Sequence, residues 1–317
     1  MPDKNCIEAR ILVPWAMQEE ASLFLMDLSG RDVIIEDDRQ PEGGALIRAL
    51  FGSVGMGPAE REEIETYLHR LDSYGLHPLD MELRPVFDRE WMEECRARTV
   101  VRRVGSLWVL RAPWREYDAR PGEKVIILNR GGAFGSGRHP STILSLAALE
   151  QAWRSGLLPA PTHGWKALDV GTGTGILAIA AAHLGAEVLA VDIDDRAVAS
   201  ARENLRLNGM QDRVKVEETP LGLVKGRFRL VLANIAFPGQ LELASTMNRL
   251  LCPDGIAIVS GFLHGDAETL AGRHGREGLR CEARLNHGDW LSMILRLPDP
   301  TGCGLQGLDD RSTSHVE

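Results

Sequence analysis

No run of about 18 consecutive apolar residues occurs in this chain, so a helical membrane span is not expected. The start, Met-Pro-Asp-Lys-Asn-Cys, lacks a basic region leading into an apolar run, and no secretory signal is expected from it. The five cysteines, Cys6, Cys95, Cys252, Cys281 and Cys303, are odd in number and scattered, with no Cys-x-x-Cys among them. That speaks against a disulfide framework or a zinc site and for free thiols in a reducing cytoplasm. An excess of positive charge is also missing: 36 Lys and Arg stand against 45 Asp and Glu. Phosphate backbones reward Lys and Arg, so direct nucleic-acid binding is not expected.

What is present is a chain of 317 residues, 44% apolar, enough for two domains with substantial cores. Residues 1–75 hold 15 acidic and 7 basic residues, a net −8 out of −9 for the whole chain. An acidic module suits a basic protein partner, mainly through electrostatic steering. An ordinary solubilising surface would carry the same charge.

The patterning divides the chain. A strand is expected over 7–13, a helix over 17–29, strands over 33–36 and 45–51, a helix opened by Pro58, and a strand over 81–87. The order βαββαβ is the ferredoxin-like plan. A short helix over 89–96 and strands over 100–104, 107–110 and 125–128 then read as a connector. From residue 165 strands and helices alternate, as in a doubly wound Rossmann-like α/β fold. Strands are expected over 167–170, 188–191, 214–216, 230–233, 255–260, 281–285 and 291–297, with helices at 195–208 and 241–251. The expected division is 1–87, a smaller N-terminal α+β domain; 88–128, the connector; 129–298, the α/β domain; and 299–317, a Gly-, Asp- and Ser-rich tail without order.

Residues 167–175 read Ala-Leu-Asp-Val-Gly-Thr-Gly-Thr-Gly, and a second strand ends at Asp192. Glycine lets backbone pass close to a ligand and take positive φ. The dinucleotide fingerprint Gly-x-Gly-x-x-Gly would place its third glycine at Ile176, so a pyrophosphate turn fits poorly. Asp-x-Gly-x-Gly-x-Gly followed by an acid at the next strand end resembles the class I S-adenosylmethionine methyltransferases. That resemblance implies a turn passing under the methionine end of the cofactor and an acid accepting hydrogen bonds from the ribose hydroxyls. Asp169, Gly171, Gly173, Gly175 and Asp192 are therefore candidate cofactor residues.

Two further motifs stand out. Residues 131–142 read Gly-Gly-Ala-Phe-Gly-Ser-Gly-Arg-His-Pro-Ser-Thr, a glycine loop opening an apolar helix. A helix start attracts anions, the cofactor carboxylate among the candidates, and Phe134 could stack on a flat group or face a sulfonium. A glycine-rich hinge is the plainer alternative. His139 has no second His or Cys at ligand spacing and reads as loop-stabilising. Asn234, in Leu-Ala-Asn-Ile-Ala-Phe-Pro, falls at the carboxyl edge of the sheet, where open α/β folds bind ligands. Taken alone, it would read as a turn residue.

Together these segments resemble the ribosomal protein L11 methyltransferase (PrmA) family. The likeness is carried by the glycine loop, the run Asp169 to Ala181, Asp192-Ile193-Asp194, Ala233-Asn234-Ile235, Ser260-Gly261-Phe262-Leu263, Asp88-Arg89-Glu90-Trp91-Met92, Pro113-Trp114 and Asp289-Trp290. It runs from about residue 7 to 297. The resemblance implies S-adenosylmethionine as cofactor, with Thr142, Gly171, Asp192 and Asn234 touching it. It also implies an N-terminal module that recruits ribosomal protein L11, and transfer to amino groups of lysine or the N-terminus. Departures from the family pattern are Leu128-Asn129-Arg130-Gly131, Gly135-Ser136-Gly137, Ser141-Thr142 and Asn234-Ile235-Ala236. They leave the cofactor residues intact and keep a different target open, whether another protein or a small molecule. A cofactor-binding module without transfer is the non-enzyme alternative. Asn234 is the candidate catalytic residue, orienting the amine; no motif names a general base.

Overall fold

The structure, a computed structural model, describes residues 5–13, 17–29, 33–37, 44–52, 56–73, 81–129, 137, 139–161, 164–299 and 313–315. They fall into two compact units, one spanning 1–100 with 130–132 and the other 101–129 with 133–317.

The first unit runs β1 (Asn5–Val13), α1 (Gln18–Ser29), β2 (Ile34–Asp37), β3 (Ala45–Phe51), α2 (Pro58–Ser73), β4 (Met81–Phe87) and α3 (Asp88–Arg98). Its antiparallel sheet has the order β2-β3-β1-β4. Alternation explains the two faces. Ala9, Ile11, Val13, Ala45, Ile47 and Ala49 pack with Ala21, Leu25, Ile64 and Tyr67 of α1 and α2. On the other face Cys6, Ile34 and Leu50 pack with Trp91 of α3. Acids in the first turn of α3 and arginines in its last complement the helix dipole. Beside Trp91, Arg48 grips Glu94 through both guanidinium nitrogens at 2.7 and 2.8 Å, reaches Glu36 at 2.9 Å, and pairs with Glu8.

The segment 88–128, expected as one connector, is shared between the units. Helix α3 belongs to the first because Trp91 completes that unit's core. Strands β5 (Arg102–Val104), β6 (Trp108–Arg111) and β7 (Lys124–Ile127) form a small sheet of the second unit. Trp108 is buried and its indole N–H donates to the Leu146 carbonyl at 2.9 Å.

The second unit continues with α4 (Pro140–Arg154), β8 (Trp165–Val170), α5 (Ile176–His183), β9 (Ala186–Asp192), α6 (Asp195–Asn208), β10 (Val214–Glu218), β11 (Phe228–Asn234), α7 (Phe237–Ala244), α8 (Met247–Leu250), β12 (Leu251–Leu263), α9 (Ala267–Arg276), β13 (Arg280–His287), β14 (Trp290–Arg296) and β15 (Thr313–His315). The sheet order is β10-β9-β8-β11-β12-β14-β13-β15. Strands β10, β9, β8, β11 and β12 are parallel, and β14 runs antiparallel between β12 and β13. Helix α5 is built of Ile, Leu and Ala, and Ile176 to Ala182 are all buried. Small side chains let it lie close on the sheet. Chain progression reverses between β8 and β11, which opens the crevice at their carboxyl ends where such sheets take ligands.

Three differences from the sequence reading have local causes. The helix expected over 241–251 is two, α7 and α8, because Pro238 starts it early and Ser245 and Thr246 bond back to Glu242 and Leu243 to close it. Helix α9 escaped the apolar count because only Ala267 and Leu270 carry its buried face, with His274 completing it. Thr313–His315 of the tail pairs in parallel with β13; most other tail residues lie outside the described set.

Candidate active site

The site is built on the switch point. Leaving β8, the chain turns through Gly171, Gly173 and Gly175 at φ +67°, +54° and +80° into α5. Gly171 has a second constraint: a Cβ there would lie 2.4 Å from Ile235 Cγ2. Any side chain at 171 would have to displace the Ile235 side chain just past the end of β11.

Asp169 is 1% exposed. Its Oδ2 accepts from Thr172 Oγ1 at 2.7 Å and from the Ala178 N–H at 3.2 Å. Burial pushes its carboxyl up to about 7, against those two hydrogen bonds. This carboxylate is turned into the protein and holds the glycine turn in place.

Asp192 closes β9. Its Oδ2 accepts from the Gly173 N–H at 2.9 Å, and its Oδ1 accepts from the N–H groups of Ile193 and Asp194 at 2.8 and 3.1 Å. A carboxylate offers about four lone-pair positions, so a position remains for an outside donor, and the group is half-buried rather than enclosed.

Asn234 ends β11, one step beyond the Ala233–Val170 register pair. Its Nδ2 donates to Thr142 Oγ1 at 3.2 Å. Its Oδ1 is buried and has no hydrogen-bond partner among the described residues. Thr142 is fully buried in the first turn of α4. That turn is capped by His139, whose Nδ1 accepts from the Ser141 N–H at 3.2 Å and meets Ser141 Oγ at 2.5 Å. A backbone N–H only donates, so Nδ1 is the unprotonated nitrogen. Burial lowers this histidine to about 4, which keeps it an acceptor at neutral pH. Its ring also meets Trp290 edge-on, with centroids 4.4 Å apart.

The structure thus brings Thr142, Gly171, Gly173, Gly175, Asp192 and Asn234 to one edge of the sheet. It places Asp169 beneath them, and Phe134 lies outside the described residues. Sequence reasoning passed over the polar residues that support this edge. Asn204 Oδ1 accepts the Asn129 N–H at 2.7 Å, and Asn208 exchanges hydrogen bonds with the Ile127 backbone at 2.8 and 2.7 Å. They fasten the chain entering the glycine loop to α6. The signal was available: two asparagines four apart on a helix, both facing inward.

The donor set fits one cofactor. A positive-φ glycine turn, a part-satisfied acid at the second strand end and an unmet buried acceptor on the fourth strand define a class I S-adenosylmethionine-dependent methyltransferase. The comparisons agree. The chain belongs to the ribosomal protein L11 methyltransferase (PrmA) family, whose model matches residues 6–298. It is 34% identical over 306 residues to the ribosomal protein L11 methyltransferase of Geobacter sulfurreducens, covering 93% of this chain and 99% of the relative. It is 35% identical over 324 residues to the Moorella thermoacetica protein of the same name, covering 94% and 99%. Among solved structures it is similar to the ribosomal protein L11 methylase of Lactobacillus delbrueckii subsp. bulgaricus. That likeness has 30% identity and a TM-score of 0.57, and covers 62% of this chain and 98% of that one.

Proposed function

We propose that this protein transfers methyl groups from S-adenosylmethionine to amino groups of ribosomal protein L11, on lysine side chains, the N-terminus or both. The observation that carries the chemistry is the Asn234 Oδ1, a buried acceptor without a described partner at the carboxyl edge of β11. The substrate comes from the family and from the names of its relatives. The acidic N-terminal unit supports a basic protein partner recruited there by steering. No nucleic-acid contact belongs to this reading, and its setting is the cytoplasm; among the described residues no helix is long and apolar enough to cross a membrane.

The cofactor, when bound, supplies a methyl group already activated on a sulfonium. What the chain contributes is alignment. Asp192 would accept from the cofactor's hydroxyls, and its backbone donors fix its direction. The glycine turn lets the main chain approach the cofactor, with Asp169 and Thr172 keeping that turn in shape; the first-turn N–H groups of α4 are taken up by His139 and are not free for the cofactor's carboxylate. A lysine amine has a pKa of about 10.4 and must lose a proton before it can attack. The Asn234 oxygen then accepts an N–H of the neutral amine and points its lone pair along the line of attack. A bound S-adenosylmethionine would give its methyl to that nitrogen, the N–C bond replacing the S–C bond and S-adenosylhomocysteine being the leaving group. Such alignment can be worth several kcal/mol.

The test is mass spectrometry of purified ribosomal protein L11 after incubation with this protein and S-adenosylmethionine. Mass gains in whole methyl groups on amino nitrogens are expected. No gain, with cofactor binding shown separately, would move the search to other basic proteins. For the role of Asn234, Asn234→Ala is expected to lose turnover while cofactor binding is kept; unchanged turnover would remove the role.

A further inference from the structure

We propose that Gln240 is a positioning residue for Asn234, and the inference rests on the reading of Asn234 given above. Gln240 lies in the first half of α7 and is fully buried. Its Nε2 lies 3.0 Å from the Ala233 carbonyl oxygen, 3.3 Å from that of Ile235 and 2.6 Å from that of Ser260. Ala233 and Ile235 flank Asn234 in the chain, and Ser260 is its register partner on β12. One side-chain amide therefore holds the main chain on both sides of Asn234 and the strand beside it.

Three carbonyls converging on one atom also settle which end of the amide is there. Only an N–H group donates to them; an oxygen would face three other oxygens. The ladder cannot do this work. Pairing of β11 with β8 stops at Ala233, and its pairing with β12 stops at Asn234. Past that point the peptide after Ile235 has no strand partner, and Gln240 supplies a donor to its carbonyl.

The same peptide is fixed from its other side. Register between β12 and β14 shifts between Val259 and Phe262, and Gly261 sits in that irregularity at φ +90°. A Cβ on Gly261 would lie 2.5 Å from the Ile235 carbonyl oxygen and 3.0 Å from its carbon and nitrogen. Ile235 is thus pressed between a glycine that leaves it room and a glutamine that bonds it. Alignment of a reacting group tolerates little movement: a misplacement of about 1 Å can cost on the order of 100-fold in rate.

The experiment measures turnover, cofactor affinity and melting temperature for Gln240→Met, Asn234→Ala and the double variant, in the full chain with S-adenosylmethionine and ribosomal protein L11. Gln240→Met keeps the bulk and removes the donor. Its turnover is expected to fall by about tenfold or more with cofactor Kd changed less than about twofold, and its addition to Asn234→Ala to cost less than about twofold further. A merely structural glutamine would multiply the two losses or leave turnover untouched, and either result overturns the inference. If Asn234→Ala itself keeps full turnover, the reading of Asn234 falls and this inference with it. Should Gln240→Met not fold, Gly261→Ala moves the same peptide with Gln240 kept, and the same non-additive pattern with Asn234→Ala is required.

Discussion

The Asn234 side chain donates to Thr142 Oγ1 across 3.2 Å, joining residues 92 positions apart in the chain. Thr142 in turn closes its own N–H onto the His139 carbonyl at 3.0 Å, and Ser260 Oγ donates to the Ser141 carbonyl at 3.0 Å. The start of α4 and the ends of β11 and β12 are therefore one hydrogen-bonded piece. The threonine in the first turn of α4 thereby sets the Asn234 amide.

Replacing Thr142 by Val removes the hydroxyl at nearly constant volume. A neutral hydrogen bond is worth about 1 kcal/mol, so turnover is expected to fall by about fivefold to tenfold. Thr142→Ser keeps the hydroxyl and should keep most of the turnover. If Thr142→Val keeps the native turnover, the bond to Asn234 does not matter.

Asp192→Ala strips the acceptor from the Gly173, Ile193 and Asp194 N–H groups and from the cofactor together. Hydrogen bonds to a charged group are worth about 1.5–3 kcal/mol each, so cofactor affinity is expected to drop on the order of 100-fold. Titration calorimetry reads this directly. An unchanged Kd would take Asp192 out of the cofactor site.

The order of elements was legible because both periods are well written in this chain. β3, β8, β9 and β11 are short, largely apolar runs. The glycine turn and the acid that closes β9 were legible because glycine at positive φ and an acid at a strand end have few substitutes. What stayed hidden depends on contacts between distant segments. Asp169 looked like a ligand contact beside the turn, and only its bonds to Thr172 and Ala178 show it facing inward. Gln240 fell just outside the helix expected over 241–251 and went unremarked, because its three partners lie at the end of β11, just beyond it and on β12. The assignment of α3 to the first unit rests on Trp91 reaching Cys6, Ile34 and Leu50, which no local pattern announces.

Arg48 is the keystone of the face of the first unit that α3 covers. Its side chain is 10% exposed, and the Glu8 side chain beside it is 3% exposed. Burial alone would lower the guanidinium, and the hydrogen bonds it donates to Glu94, Glu8 and Glu36 raise it instead. Removing one member of a buried pair leaves an uncompensated charge and typically costs about 3–5 kcal/mol. Arg48→Met is expected to destabilise by that order in chemical denaturation. Adding Glu8→Met should recover part of the loss, since it removes the stranded carboxylate. A double variant less stable than Arg48→Met would show that Glu8 does not depend on Arg48.

Asp169 couples the turn to pH. Its carboxyl stands near 7 in the folded protein through burial, against about 3.9 in an unfolded chain. Between those values the folded state binds the extra proton, so this group makes stability fall as pH rises, with its full contribution below about 4 and its loss complete above about 7. Asp169→Asn keeps an oxygen acceptor for Thr172 and Ala178 and removes the titration. The measurement is the difference in unfolding free energy between the native protein and Asp169→Asn at about pH 5 and about pH 8. Taking the difference cancels every other titrating group to first order. The native protein is expected to gain on the variant at the lower pH. A difference that stays flat between the two pH values would mean the carboxyl titrates in its ordinary range and the turn does not enclose it.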